Sequence, residues 1–360
     1  MKERACAFSF LAILLFLSIC FIFLPKASYS ETENRYLASL PEFSFEGLLN
    51  GGFTSDFESW VSDTFPFRDT WIGLKSYIEL LEGRKDTGGV YVTKDGYLIE
   101  MFTEADNELY LKNLDYVRQF KESFEKNGGS FDFMLVPTAA EVLKDKIGQS
   151  ADISQKELLS MASDILSCDC LGELSAHTDE YIYYKTDHHW TSLGAYYGYK
   201  ALMGENALDI SGFEKEVLSE DFLGTTYSKA GIYFEKDRID AYKYGSPSVS
   251  YNMQEESRSI YDRSYLEKKD KSSVFLSGNQ PLSVIKTGNE GGKLLLIKDS
   301  YANCFVQFLM PHYSEIHVID LRSFGSSLSA YIQKENIENA LVLYNLKGFS
   351  EETSVFRLAH

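Results

Sequence analysis

Apolar and polar positions divide the chain into three kinds of stretch. The first is the run at 5–24, ACAFSFLAILLFLSICFIFL, without a formal charge. Its twenty residues rise about 30 Å as a helix, the thickness of bilayer hydrocarbon. Lys2 and Arg4 precede it and favour a cytoplasmic N-terminus. The run exceeds the about 7–15 residues usual in a signal-peptide core, which favours a retained anchor. Ser28-Tyr29-Ser30 is a small-x-small site, so a cleaved signal peptide is the alternative. Leu17-Ser18-Ile19-Cys20 is a poor lipoprotein site, because Ile19 is bulky and the apolar run continues. On either reading residues 31–360 lie outside the cytoplasm, and no later stretch is long enough to span.

The second kind of stretch alternates strand and helix patterns. Residues 26–50 read as a polar stalk, followed by an aromatic-rich segment from Phe57 to Trp71 that contains Phe65-Pro66-Phe67-Arg68-Asp69. Val90–Glu100 predicts a hairpin turning at Lys94-Asp95-Gly96. A helix is expected from about Glu104 to Lys126, capped by Thr103 and stopped by Gly128-Gly129. A strand at 131–136 ends at Pro137, a helix follows near 155–167, then a strand at 181–185 and a helix at 191–203. The last third repeats the pattern: LLLIK (294–298), a helix from about Tyr301 to His312, EIHVIDL (315–321), a helix over about 327–336, and ALVLYN (340–345). Strands joined by helical crossovers imply a parallel sheet with helices on both faces, an α/β fold. The third kind, residues 205–290, is Ser/Tyr/Asp-rich and predicts β-hairpins and loops inserted in that core. The expected organisation is a membrane segment at 1–30, one domain at 31–350 and a tail at 351–360.

Composition narrows the function. Lys+Arg number 35 against 53 Asp+Glu, a net charge of −18, which argues against nucleic acid or an anionic membrane surface as partner. Hydrophobic residues at 44% suffice for a packed core. Of five cysteines, Cys6 and Cys20 lie in the apolar run, Cys168 and Cys170 have no second pair to complete a zinc site, and Cys304 stands alone. No metal or other cofactor is called for.

Ligands of open parallel sheets sit at the carboxyl ends of strands. Two polar clusters fall there: Thr186-Asp187-His188-His189-Trp190 and Lys298-Asp299-Ser300-Tyr301. Ser300, at a strand-to-helix turn, is read either as a helix cap or as a nucleophile with the Tyr301 N–H free for an oxyanion. Asp187 and His189, two apart on an extended strand end, point the same way, so the carboxylate orients the imidazole. His188 then points to the opposite face and is structural; a metal site of Asp187, His188 and His189 is the competing reading. Trp190 is read as core or lid.

These motifs resemble the DHHW family of exported bacterial proteins and, more distantly, the alginate O-acetylation proteins. ENRYLASLP (33–41), FPFRD (65–69), VPTAAEV (136–142), DFLGTTYSKAG (221–231) and FLSGNQPLSVIKT (275–287) support the resemblance. It implies a circularly permuted SGNH-hydrolase-like domain, a three-layer α/β/α sandwich with a central mostly parallel sheet and a β-rich insertion. It implies a triad of Asp187, His189 and Ser300. The permuted order implies Gly325 and Asn345 as oxyanion donors beside Tyr301, with Arg322 and Tyr344 lining the pocket. Asn279 in SGNQ is a competing donor, though its motif reads first as a hairpin turn. Lys-Asp-Ser stands where ordinary SGNH hydrolases have Gly-Asp-Ser. The activity implied is extracytoplasmic O-acetylation of a surface or exported polysaccharide, the acetyl group delivered by a membrane-bound O-acyltransferase partner. The alternatives are an acetylesterase with the same triad and a non-catalytic glycan-binding surface protein.

Overall fold

The computed structural model describes residues 2–30, 35–148, 150, 152–253 and 259–359. Part of the expected stalk, at 31–34, and the first two residues of the 33–41 motif lie outside the described residues, as do residues 254–258 of the polar stretch and the terminal residue of the tail. The chain forms two compact units, Met1–Gly88 with Ser228–Ile232, and Gly89–Tyr227 with Tyr233–His360.

The first unit is helical. Helix α1 (Lys2–Phe23) takes up the apolar run up to Phe23, and its described side chains are exposed at most positions. By length and composition it can cross a membrane. Helices α2 (Phe45–Leu49), α3 (Gly52–Asp63) and α4 (Arg68–Leu81) follow. Phe65-Pro66-Phe67 is the corner between α3 and α4, where Phe67 takes φ of 60°.

The second unit is built on a six-stranded sheet. In chain order its strands are β3 (Ser130–Val136), β6 (Ser248–Tyr251), β7 (Leu282–Lys286), β8 (Lys293–Lys298), β9 (Glu315–Ile319) and β10 (Asn339–Asn345). The spatial order is β3-β10-β8-β9-β7-β6. The first four are parallel neighbours, and β7 and β6 add an antiparallel edge. Leu295 pairs with His317 on one side and Ala340 on the other, at the centre of the sheet. Such a strand is buried on both faces, which is why its sequence reads as an unbroken apolar run. Alternate residues feed two cores. Met134, Leu294, Leu296 and Leu341 pack with Tyr199, Phe305 and Phe308. Phe133, Leu135, Leu295, Ile297 and Val342 pack with Tyr110, Val117 and Tyr331. The covering helices include α7 (Ser192–Met203) and α8 (Ala302–Leu309) for the first core, and α5 (Asn107–Lys126) and α9 (Leu328–Glu335) for the second.

Some local expectations differ from the structure. Helix α5 is capped by Asp106, which accepts the Leu109 N–H at 2.9 Å, so it starts later than a Thr103 cap would give. Helix α6 (Gln155–Met161) stops early. Residues 181–185 do not form a strand; Tyr183 makes one isolated bridge to Trp190. The N–H groups of Lys185 and Thr186 donate instead to the Asp237 carboxylate, each at 2.7 Å, so no ladder can propagate. Within 205–290, the hairpin of β4 (Glu214–Phe222) and β5 (Asp237–Lys243) forms a separate two-stranded sheet. Strands β6 and β7 belong to the central sheet itself, so the polar stretch is only partly an insertion. Residues 90–100 pair as expected, with β1 (Val90–Val92) opposite β2 (Leu98–Glu100).

Candidate active site

The site lies where the central strand β8 gives way to α8. Strand β8 is held on both sides, and all eight residues of α8 are buried, so the three-residue corner between them is fixed at both ends. Ser300 Oγ does not cap α8. It lies 2.7 Å from His189 Nε2. His189 Nδ1 is 2.5 Å from Asp187 Oδ1. Asp187 is buried, whereas His189 and Ser300 are partly exposed, so the chain of hydrogen bonds runs from core to surface.

The Asp187–His189 contact does not arise from strand alternation. The His189 N–H donates to the same Asp187 oxygen at 3.0 Å, which closes a tight side-chain-to-backbone turn. In this turn His188 does not point away from His189. Their ring centroids are 3.8 Å apart. His188 Nδ1 sits 2.6 Å from Thr225 Oγ1. Trp190 is fully buried, stacked on Phe305, and donates its indole N–H to the Tyr301 carbonyl at 2.9 Å, which ties the two clusters together.

The second Asp187 oxygen is held by residues that no motif argument assigned. It accepts the Thr225 N–H at 2.8 Å and the Thr225 hydroxyl at 3.0 Å. Gly224, just before, lies so close that a Cβ there would sit 2.2 Å from Asp187 Cβ. Thr186 is fixed in turn by Asp237, to which its hydroxyl donates, while Oγ1 accepts the Gly224 N–H at 3.1 Å. The sequence signal was DFLGTTYSKAG, recognisable as a motif but silent about which residue it serves.

Electrostatics follow from this packing. Burial alone would raise the Asp187 carboxyl; the facing His189 and His188 and the Thr225 N–H outweigh it and hold the acid well below its ordinary range. Burial would lower His189, but the Asp187 charge and hydrogen bond prevail and raise it above an ordinary histidine. Ligand atoms of Asp187, His188 and His189 lie within 4.8 Å of one another, close enough to hold a cation. Both Asp187 oxygens, both His189 nitrogens and His188 Nδ1 are engaged in hydrogen bonds within the protein.

The expected oxyanion donors divide. The Tyr301 N–H is not free: it donates to Asp299 Oδ1 at 2.9 Å. Its side chain is buried, and the hydroxyl donates to the His188 carbonyl at 2.5 Å. The Asn345 N–H and side-chain amide both donate to Asp299 Oδ2, each at 2.7 Å, and its carbonyl oxygen caps helix α10 (Leu346–Glu351). Asp299, raised by burial, thus uses the donors assigned to an oxyanion. Tyr344 is a core residue packed edge-on against Phe349, not a pocket wall. Arg322 clamps Asp320 through Nε at 2.9 Å and Nη2 at 2.6 Å. Gly325 lies in an exposed loop with open space around it.

Two other groups are not engaged in this way: one on Ser300 itself and one on Asn279, whose side chain is tied to Lys298 of the same strand end. The Ser300 N–H has no hydrogen-bond partner among the described residues. The Asn279 amide nitrogen has none either, while its carbonyl oxygen is held by Lys298 Nζ at 2.6 Å and by the Asn303 amide at 3.2 Å. Lys298 is fully buried, bonds Asn303 Oδ1 as well at 2.7 Å, and is pushed down to about 8 by burial. A lysine at the end of an apolar strand gave no hint of this role in the sequence.

A serine, a histidine and a buried carboxylate thus stand in hydrogen-bond sequence, the serine at the end of a central parallel strand of an α/β fold. The profile of the family described as "DHHW protein" matches residues 33–118 and 82–319, so the chain belongs to the DHHW family. Its fold is similar to that of a DHHW family protein from Eubacterium siraeum, at 24% identity and TM-score 0.64, over 76% of this chain and 95% of that one. It is similar to Bacillus cereus PatB1 with a sulfonyl adduct, at 19% identity and TM-score 0.63, over 75% and 98%. The O-acetyltransferase domain of Pseudomonas putida AlgJ matches at 14% identity and TM-score 0.47, over 73% and 93%. No curated protein matches the chain.

Proposed function

We propose that the protein is an extracytoplasmic O-acyltransferase that acetylates hydroxyls of a cell-surface or exported polysaccharide through an acetyl-Ser300 intermediate. The observation that carries this reading is the continuous Ser300–His189–Asp187 relay, 2.7 and 2.5 Å, anchored at its far end by Thr225. His189 Nε2 takes the proton of Ser300 as Oγ attacks the acyl carbonyl. Asp187 keeps its charge and stabilises the imidazolium. The tetrahedral oxyanion is stabilised by the Ser300 N–H and the Asn279 amide, with Gly325 as a further donor. Collapse expels the donor's leaving group, which receives the proton from His189. A sugar hydroxyl, deprotonated by the same nitrogen, attacks the acetyl-serine, and the proton returns to Ser300 Oγ. Arg322, clamped by Asp320, lines the acceptor side.

Three further features belong to this reading: a circularly permuted SGNH-type chain order, a three-layer arrangement of the domain, and a membrane-bound O-acyltransferase that delivers the acetyl group. The apolar helix α1, able by length and composition to cross a membrane, would as a retained anchor hold the domain near such a partner. If water rather than sugar reaches the acetyl-serine, the same groups make an esterase. If neither does, the protein is a glycan-binding one.

The test is intact-mass spectrometry of the protein after brief exposure to 4-nitrophenyl acetate and, separately, to an aryl sulfonyl fluoride. The sulfonyl adduct of PatB1 motivates the second reagent. Adducts on the wild type that are absent from Ser300→Ala are expected. Labelled acetyl appearing on an oligosaccharide separates transferase from esterase. No adduct with either reagent and unchanged glycan binding in Ser300→Ala would leave the binding protein.

A further inference from the structure

Helix α4 leaves much of its apolar side-chain surface outside. Its fully buried residues are Gly73 and Ser76, flanked by the half-buried Ile72 and Leu80. A Cβ on Gly73 would come within 2.9 Å of the Gly231 carbonyl, so only glycine allows this approach. Ser76 Oγ donates to the Ala230 carbonyl at 2.6 Å. Its outward face carries Trp71, Leu74, Ile78 and Leu81, exposed at 41, 46, 47 and 86%. This i, i+3, i+7, i+10 spacing lines up one stripe. Phe67, one turn earlier, extends it, and Tyr77 flanks it; both are exposed. Charged Arg68, Lys75, Glu79 and Glu82 fall to the sides, and none interrupts the stripe.

The head of the stripe touches the apolar helix of the same unit. Phe67 stacks on Phe16 at 6.4 Å between centroids, and Trp60 of α3 meets Phe21 edge-on at 5.4 Å. Phe16 lies eight residues inside the end of the apolar run at Leu24, about 12 Å along a helix. A helix that begins at that depth beside a membrane-length segment shares its solvent. We infer that the outward face of α4, headed by Phe67, lies in the lipid interface of the membrane that α1 enters, as an in-plane apolar foot. Two aromatics, a tyrosine and flanking charges are the composition of an interfacial helix. The occupant is the acyl and headgroup boundary of neutral lipid, because the protein's charge of −18 gives no electrostatic attraction to anionic headgroups. This inference rests on the first unit alone and not on the reaction proposed for Ser300.

The three tryptophans, Trp60, Trp71 and the fully buried Trp190, make the test direct. Full-length Trp60→Phe protein is reconstituted in phosphatidylcholine vesicles with ordinary or acyl-brominated chains. Emission should fall by about half in the brominated lipid, since an indole at the interface is reached and a core indole is not. The Trp60→Phe/Trp71→Phe protein should be indifferent to bromine. Leu74→Glu/Ile78→Glu in the Trp60→Phe background should free Trp71 from quenching while leaving aryl-acetate hydrolysis unchanged. Equal emission of the Trp60→Phe protein in both lipids would overturn the inference and assign the stripe to a second copy or another protein. Quenching that persists without Trp71, or despite the two glutamates, would overturn it equally.

Discussion

In α8 all eight residues are buried; in the fourteen residues of α4 only Gly73 and Ser76 are. Both helices carry an apolar face. The face of α8 meets the central sheet and Trp190, and its rigidity passes directly to Ser300 one turn away. The face of α4 is left largely exposed in its own unit, its head alone meeting α1 through Phe67. An apolar stripe states that water is to be excluded; it does not say whether chain or lipid excludes it. What tells them apart is the rest of each helix: α8 is buried all round, its Asn303 and Gln307 satisfied inside the protein, whereas α4 buries fully only a glycine and a serine packed against backbone.

Substitutions can break this comparison. The largest effect is expected at the corner that α8 holds: Ser300→Ala should cut acyl transfer to a chromogenic acceptor by about 10^4-fold or more with the fold intact. Gly224→Ala should displace Asp187, given a 2.2 Å approach, and lower kcat by about 10^2-fold, the cost of misplacing a catalytic group by about 1 Å. On stability the two helices should part. Phe305→Ala in α8 should cost about 3–5 kcal/mol by urea denaturation, since it empties a core site. Leu81→Ala in α4 should change the detergent-solubilised protein by less than about 0.5 kcal/mol. Equal costs would erase the distinction.

A pH profile sharpens the buried side. His189 acts as a base only when neutral, and its pKa is raised above that of an ordinary histidine by Asp187. Activity should therefore rise with pH through a limb that lies above the ordinary histidine value. Asp187→Asn removes the raising charge and should move that limb to lower pH while reducing the plateau. A smaller effect is expected at Lys298. Lys298→Met leaves the Asn303 carbonyl oxygen unpaired and Asn279 held by the Asn303 amide alone, at a cost of about 1–3 kcal/mol, and should lower kcat more than it raises KM.

The strands around Ser300 were legible because parallel strands buried on both faces must be apolar without interruption, and LLLI and ALVL are. The Asp187, His189 and Ser300 side chains were legible because few residue types can form a proton relay, and these three recur in recognisable motifs. The oxyanion donors were not. Whether an N–H is free depends on what already bonds it, and Asp299 takes the N–H groups of both Tyr301 and Asn345. The strand expected at 181–185 failed for the same reason, since the Asp237 carboxylate, some fifty residues on, claims its donors.

The sequence by itself determined the membrane-length helix, the α/β pattern and which three side chains, Asp187, His189 and Ser300, were candidates to meet, because each depends on residue type and local spacing. Only the tertiary structure decided that Gly224 and Thr225 seat Asp187, that Asn279 is held by a buried Lys298, and that α4 turns its apolar stripe outward. Each of those depends on which distant backbone or side chain comes to lie opposite, and hydrogen-bond partnership and covering of a face are properties of the pair, not of the residue.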